Sequence, residues 1–133
     1  MFSFFTAKQA NNALPDVIKK FEYALAKKND ITKIEKELQI TISTTDSFEK
    51  YMQLKQQLNS AITKFYQSIE ILESTGVMIK SIEQGLLDFP SKRFDQEVCL
   101  CWKHGETEIK FWHEKDSGFN GRKPVSVDAE SLI

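Results

Sequence analysis

Cysteine is scarce in this chain, with two residues, Cys99 and Cys101, among 133. A disulfide framework cannot organise the fold, and the C-x-C pair reads as two free thiols on one strand face in a reducing, cytoplasmic compartment. A surplus of either charge is also missing. The formal net charge is -1, and the split at Gly76 gives 10 basic against 9 acidic residues before it and 8 against 10 after it. Without a basic footprint, broad phosphate-driven nucleic-acid binding is disfavoured. No stretch approaches the roughly 18 apolar residues of a membrane span, and MFSFFTAKQ has neither the basic n-region nor the apolar length of a signal peptide. Internal repeats and low-complexity segments are absent too.

What is present is an ordinary globular composition, 41% hydrophobic and 28% charged, over a length that fits one domain spanning 1-133 and can bury a core without metal or disulfide support. Residues 6-75 read as helical. Thr6 is placed to N-cap a segment in which Ala10, Leu14, Ile18, Phe21 and Leu25 recur at helical spacing. Pro15 is expected to break or kink that path, leaving a short turn over 7-13 and starting the main helix at its first position. Ile31, Ile34, Leu38 and Ile42 continue the rhythm after Asn29-Asp30. A cap signal follows, with Asp46 and Glu49 three residues apart. From Phe48 a 3-4 repeat visits Tyr51, Lys55, Leu58, Ile62, Phe65, Ile69 and Leu72, a coiled-coil-like seam. Gly76 ends it.

After Gly76 the period falls to two. Val77 to Ile82 reads as a strand, Glu83-Gln84-Gly85 as a turn, and Leu86 to Phe89 as a second strand closed by Pro90. SKRFD is a polar connection. Glu97 to Lys103 and Glu106 to Glu114 alternate around His104-Gly105, which predicts a hairpin. That turn would set Trp102 opposite Thr107, Leu100 opposite Ile109 and Val98 opposite Phe111, an apolar face against the helices. Glu97, Cys99, Cys101, Glu108, Lys110 and Trp112 would point away. The β part ends near 123, and 124-133 is expected to be a mobile tail. The fold class is therefore α+β, a long antiparallel helical hairpin packed on a small, mainly antiparallel C-terminal β-sheet.

The runs GLLDFPSKR, EVCLCWKHGETEIKFWH and GFNGR, with FTAKQANNALP at the N-terminus, resemble a prokaryotic family known as domain of unknown function 2203. The resemblance covers most of the chain and is strongest in the C-terminal motif. It implies which positions matter, namely Asp88, Phe89, Pro90, Cys101, Trp102, Gly105, Glu106, Trp112, His113, Gly118, Phe119, Gly121 and Arg122, but no reaction.

In the expected register Cys101 and His113 lie on opposite faces, which disfavours a Cys-His nucleophile. Cys99, Cys101, His104 and His113 would diverge and lack zinc-ligand spacing, so neither a metal nor another cofactor is expected. The candidate site lies where His113 leaves its strand. GFNGR folds back there, with Gly118 and Gly121 exposing amides, Phe119 beside them and Arg122 as a bidentate donor. Asp88, Arg93, Glu106 and Trp112 complete the candidate ligand-binding set. A structural clasp, with Arg122 on Asp88 or Glu106, is the plainer reading of the same residues.

Two functions stay open. The preferred one is a non-catalytic interaction or scaffold protein, homodimeric through its long helices, because a helix of about 29 residues runs to roughly 43 Å, beyond what a small sheet covers. The other is a binder or enzyme of a small anionic ligand at Asp88, His113 and Arg122.

Overall fold

In a computed structural model the described residues are 4-44 and 47-125. Helix α1 (Ala7–Thr44) and helix α2 (Phe48–Glu73) form an antiparallel hairpin. Five strands follow, β1 (Met78–Ser81), β2 (Leu86–Arg93), β3 (Gln96–Lys103), β4 (Phe111–Glu114) and β5 (Lys123–Pro124). They lie in chain order in one antiparallel sheet, so the α+β architecture expected from the sequence is the one observed.

Thr6 caps α1 reciprocally: its hydroxyl accepts from Gln9 N–H and the Gln9 side chain accepts from Thr6 N–H, both at 3.0 Å. Pro15 does not break the helix as expected. It sits on the exposed side of a continuous α1, where Ala10, Leu14, Val17 and Phe21 form one buried stripe at 1% exposure or less. Burying that stripe in a single line outweighs the lost backbone hydrogen bond. The two helices span about 57 and 39 Å at 1.5 Å per residue.

Ser47 caps α2 by accepting from Lys50 N–H, while Asp46, the expected cap, lies outside the described residues. Along most of α2 the seam is centred one position before the 3-4 repeat, on Leu54, Ala61 and Ser68 in place of Lys55, Ile62 and Ile69, and the two coincide at Leu72. Leu54, Ala61, Ser68 and Leu72 are buried, Tyr51, Leu58, Ile62, Phe65 and Ile69 flank them half-buried, and Phe48 stands in solvent. Small Ala61 and Ser68 occupy the centre, so the larger side chains pack beside the contact line.

The β2 strand runs straight through Pro90 instead of stopping there. The Pro90 carbonyl accepts from Phe5 N–H at 2.7 Å, on the side where the β1 pairing has already ended. The missing proline N–H therefore costs no ladder bond. The expected polar connection SKRFD is instead the end of a hairpin, in which Arg93 pairs with Gln96 and Phe94-Asp95 makes the turn with φ of 48° and 66°. Such a two-residue turn with both φ positive matches strand twist, although glycine is the usual occupant.

β3 and β4 pair in a different register from the one expected. The His104-Gly105 hairpin is replaced by a folded connection over 104-110, and the pairs are Val98–Glu114, Cys99–His113, Leu100–Trp112 and Cys101–Phe111. Its partners explain why GETEIK does not zip up. Glu106 accepts Lys103 N–H on its carboxylate and the Trp102 indole N–H on its carbonyl, and Asn11 of α1 accepts Ile109 N–H at 2.6 Å. Relative to the expected hairpin, β4 is displaced by three residues. An odd displacement exchanges its faces.

Val98, Leu100 and Trp102 face the helices as expected, joined by Leu87, Phe89, Ile109 and Trp112 in one cluster with Ala10, Leu14, Val17, Phe21, Ala24 and Leu72. Phe21 meets Trp102 edge-on at 5.2 Å. Pro124 belongs to β5, and Val125 N–H donates to the Lys110 carbonyl. The expected tail thus begins no earlier than 126, outside the described residues. No helix among the described residues is long and apolar enough to cross a membrane.

Candidate functional site

Strand pairing puts Asp88 opposite Cys101, and Cys99 opposite His113, on the sheet face turned away from the helices. The side chains of Asp88, Cys101 and His113 are buried at 1, 1 and 2% exposure. Their potential ligand atoms all lie within 4.8 Å of one another. His113 is held at both ring nitrogens, with Nδ1 2.7 Å from the Glu114 carbonyl and Nε2 3.0 Å from Asp88 Oδ1. A carbonyl only accepts, so Nδ1 carries a proton, and one further proton is shared between Nε2 and Asp88 Oδ1. Asp88 Oδ2 is buried with no hydrogen-bond partner among the described residues. Lys80 Nζ stands 3.8 Å from it, an ion-pair distance beyond hydrogen-bond reach.

These three residues line a cavity of about 210 Å³ whose remaining walls are Lys80, Leu86, Lys115, Asp116, Gly118 and Phe119. Gly118 turns the chain with φ of 68°, a conformation that disfavours a side chain even though a Cβ there would meet nothing within 4 Å. The 3₁₀ turn Phe119–Gly121 follows and carries Phe119 to the cavity.

Arg122 is bound up elsewhere. Its guanidinium makes two hydrogen bonds to the Glu106 carboxylate at 2.7 and 2.8 Å and stacks on Phe111 and Phe119, with centroids 4.1 and 4.7 Å away. Gly121 N–H is spent on the Gly118 carbonyl. Glu106, Phe119, Gly121 and Arg122 therefore close the segment beside the cavity as a clasp; Arg122 bonds through Nη2 alone, its Nε is buried without a hydrogen-bond partner among the described residues, and neither Arg122 nor Gly121 lines the cavity.

Two expected members are displaced from the site. Trp112 faces the helices at 8% exposure, with Arg93 at 4.8 Å and Lys123 at 4.9 Å from its ring. Arg93 lies at the hairpin end of β2, where it also approaches the Phe94 ring. The three-residue displacement of β4 accounts for Trp112 and equally for His113, which the expected register had kept from Cys101. Among the four cysteines and histidines first weighed as ligands, Cys99, Cys101 and His113 share the outer face. His104 instead meets Glu22 at 3.3 Å and packs on Phe21. Lys80, Leu86 and Lys115 were missed, since nothing in sequence alone joins them to the C-terminal motif.

Both thiols are free and unreactive in character. Burial, reinforced by the Asp88 charge, pushes Cys101 up to about 12 and Cys99 up to about 11. His113 Nε2 points at Asp88 and its Nδ1 at a backbone carbonyl, so no ring nitrogen is left to take a proton from Cys101. The arrangement is not a nucleophile-base relay.

The family model described as "Uncharacterized conserved protein (DUF2203)" matches residues 3–125. The chain belongs to this family. No curated protein and no solved structure matches it. Membership in DUF2203 supplies no activity, so a functional reading has to come from the cavity itself.

Proposed function

We propose that this protein binds a small anionic ligand in the cavity on the outer face of its sheet. The observation that carries the reading is the buried Asp88–His113 pair flooring that cavity, on a face that needs no polar residues to build the core. Buried charge pairs are poor stabilisers, because desolvation consumes most of their attraction. Lys80, 3.8 Å from Asp88 Oδ2, and Lys115, 2.6 Å from Glu97 Oε2, are the cationic walls; an entering carboxylate or phosphate would compete with these carboxylates and with Asp116 for them, with His113 as its proton-exchanging neighbour. Arg122 serves this site indirectly, by holding the Phe119 turn against it. Free thiols at Cys99 and Cys101 accord with a cytoplasmic setting, which we retain as part of the proposal.

A panel of small carboxylates and phosphates, screened by thermal unfolding, tests this. At least one compound is expected to raise Tm in a concentration-dependent way, and the rise should vanish in a Lys80→Ala, Lys115→Ala double variant. A panel in which no compound raises Tm would remove the reading.

Self-association through the helical hairpin is a second reading. Ile40, Ile42, Phe48 and Met52 flank the α1–α2 connection at 41 to 73% exposure, together an apolar tip. A scaffold built this way is a homodimer, for which sedimentation is expected to give twice the chain mass. A strict monomer at micromolar concentrations would end that reading.

A further inference from the structure

We infer that Asp88, Cys101 and His113 form a binding site for a divalent transition metal of the zinc class, with one coordination position open to the cavity. This deepens the ligand-site reading and rests on it for the anion that would take the open position. The grounds for the metal are separate.

The first ground is the donor set. One carboxylate oxygen, one sulfur and one imidazole nitrogen lie within 4.8 Å of one another. Metal bonds of about 2.0–2.3 Å put the donors of a tetrahedral centre roughly 3.3–3.8 Å apart, so a small inward closure would complete the arrangement. Mixed sulfur and nitrogen donors select zinc-like ions over magnesium or calcium, which prefer oxygen.

The second ground is orientation. Metal-binding histidines usually donate the far ring N–H to a carbonyl or carboxylate, which fixes the other nitrogen as the ligand. His113 does this through Nδ1 to Glu114, leaving Nε2 directed at Asp88.

The third ground is an unmet need. Asp88 Oδ2 is a buried carboxylate oxygen without a hydrogen-bond partner among the described residues, on a side chain 1% exposed. Lys80 Nζ, 3.8 Å away, offers it charge but no hydrogen bond, and a buried oxygen left so is costly. A cation bound between the carboxylate, Nε2 and Sγ would satisfy it.

The metal-free site holds a neutral Cys101 thiol and one proton shared between His113 Nε2 and Asp88 Oδ1. Binding one divalent ion releases the Sγ proton and that shared proton to solvent, and leaves thiolate, neutral imidazole and carboxylate around the metal, with zero net charge. Three protein ligands leave a fourth position for water or an anion, the pattern of an open site. Lys80 and Lys115 stand around that opening.

The test is titration of the full chain, stripped with a chelator, with Co²⁺ and then Zn²⁺. The expected result is one Co²⁺ per chain, a thiolate-to-cobalt charge-transfer band, displacement by Zn²⁺, and two protons released per ion in weak buffer. Altering groups that merely support a ligand costs 10–100-fold in affinity, so Cys101→Ser and His113→Gln should each weaken binding by at least about 100-fold. Cys99→Ser should leave both band and affinity unchanged. If a variant fails to fold, the wild-type spectrum and stoichiometry still decide. No cobalt complex, a complex without sulfur ligation, or a band lost in Cys99→Ser but kept in Cys101→Ser each overturns the site. Anion-induced stabilisation in metal-free protein with no cobalt complex would overturn the metal alone. Silence in both assays would remove the anion reading as well.

Discussion

On β3, Val98, Leu100 and Trp102 turn toward the helices while Cys99 and Cys101 turn away, yet all five are at most 4% exposed. The inner side is buried by apolar helix residues. The outer side includes an acid, an imidazole and two thiols, with Leu86, Gly118 and Phe119 beside Cys101 and Phe4 and Met78 beside Cys99. Equal burial with opposite chemistry separates two jobs. Apolar packing on the inner side is sufficient reason for the sheet and hairpin to join, because hydrophobic transfer favours it without any polar partner. The outer side is closed at a desolvation cost that packing alone does not require, which is why the proposed ligand and metal are placed there.

Trp102→Ala should have the largest effect on stability. It removes a fully buried indole, its edge contact with Phe21 and its hydrogen bond to the Glu106 carbonyl, and is expected to cost about 3–5 kcal/mol. A urea midpoint shift at constant m-value would measure it. On the outer face, Asp88→Ala alone should cost about 3 kcal/mol by stranding His113. The double replacement Asp88→Leu, His113→Leu is expected to be neutral or to gain about 1–4 kcal/mol, while abolishing cobalt binding. A double variant as damaged as Trp102→Ala would show that both faces are structural and would erase the contrast.

The inner face was legible in the sequence and the outer one was not. Alternation of Val98, Leu100 and Trp102 against charged neighbours fixes which side of β3 meets the helices, since the opposite choice would bury Glu97 and Lys103. The stripe through Ala10, Leu14 and Phe21 announces α1 for the same reason. Local signals misled where tertiary packing overrode them, as Pro15 and Pro90 show. Glu106 looked like a strand residue by alternation, yet its carboxylate and carbonyl serve a loop, and that one misreading displaced β4 by three positions. Asp88, Cys101 and His113 come from three different strands, so their meeting depends on two registers. One of those, set by the Phe94-Asp95 turn, has no glycine to advertise it.

The smallest expected effect sharpens the contrast by pH. Cys99 and Cys101 keep their protons in the folded chain up to about 11 and about 12, held there first by burial and then by the Asp88 carboxylate. In the unfolded chain both ionise near the ordinary thiol value of 9.0. Below that value neither state has lost a proton and the thiols leave stability independent of pH. Above it the unfolded chain sheds protons that the folded chain retains, so stability falls as pH rises from about 9 toward about 12. Lysines and tyrosines titrate in the same window, and the informative quantity is therefore the difference between wild type and a Cys99→Ala, Cys101→Ala double variant. Urea midpoints should decline less steeply with pH in the variant. The Val98, Leu100 and Trp102 side contributes nothing to this difference, because it presents no group that ionises in the window. Parallel declines in the two proteins would mean that the thiols ionise as easily folded as unfolded, and that the outer face of β3 is wet.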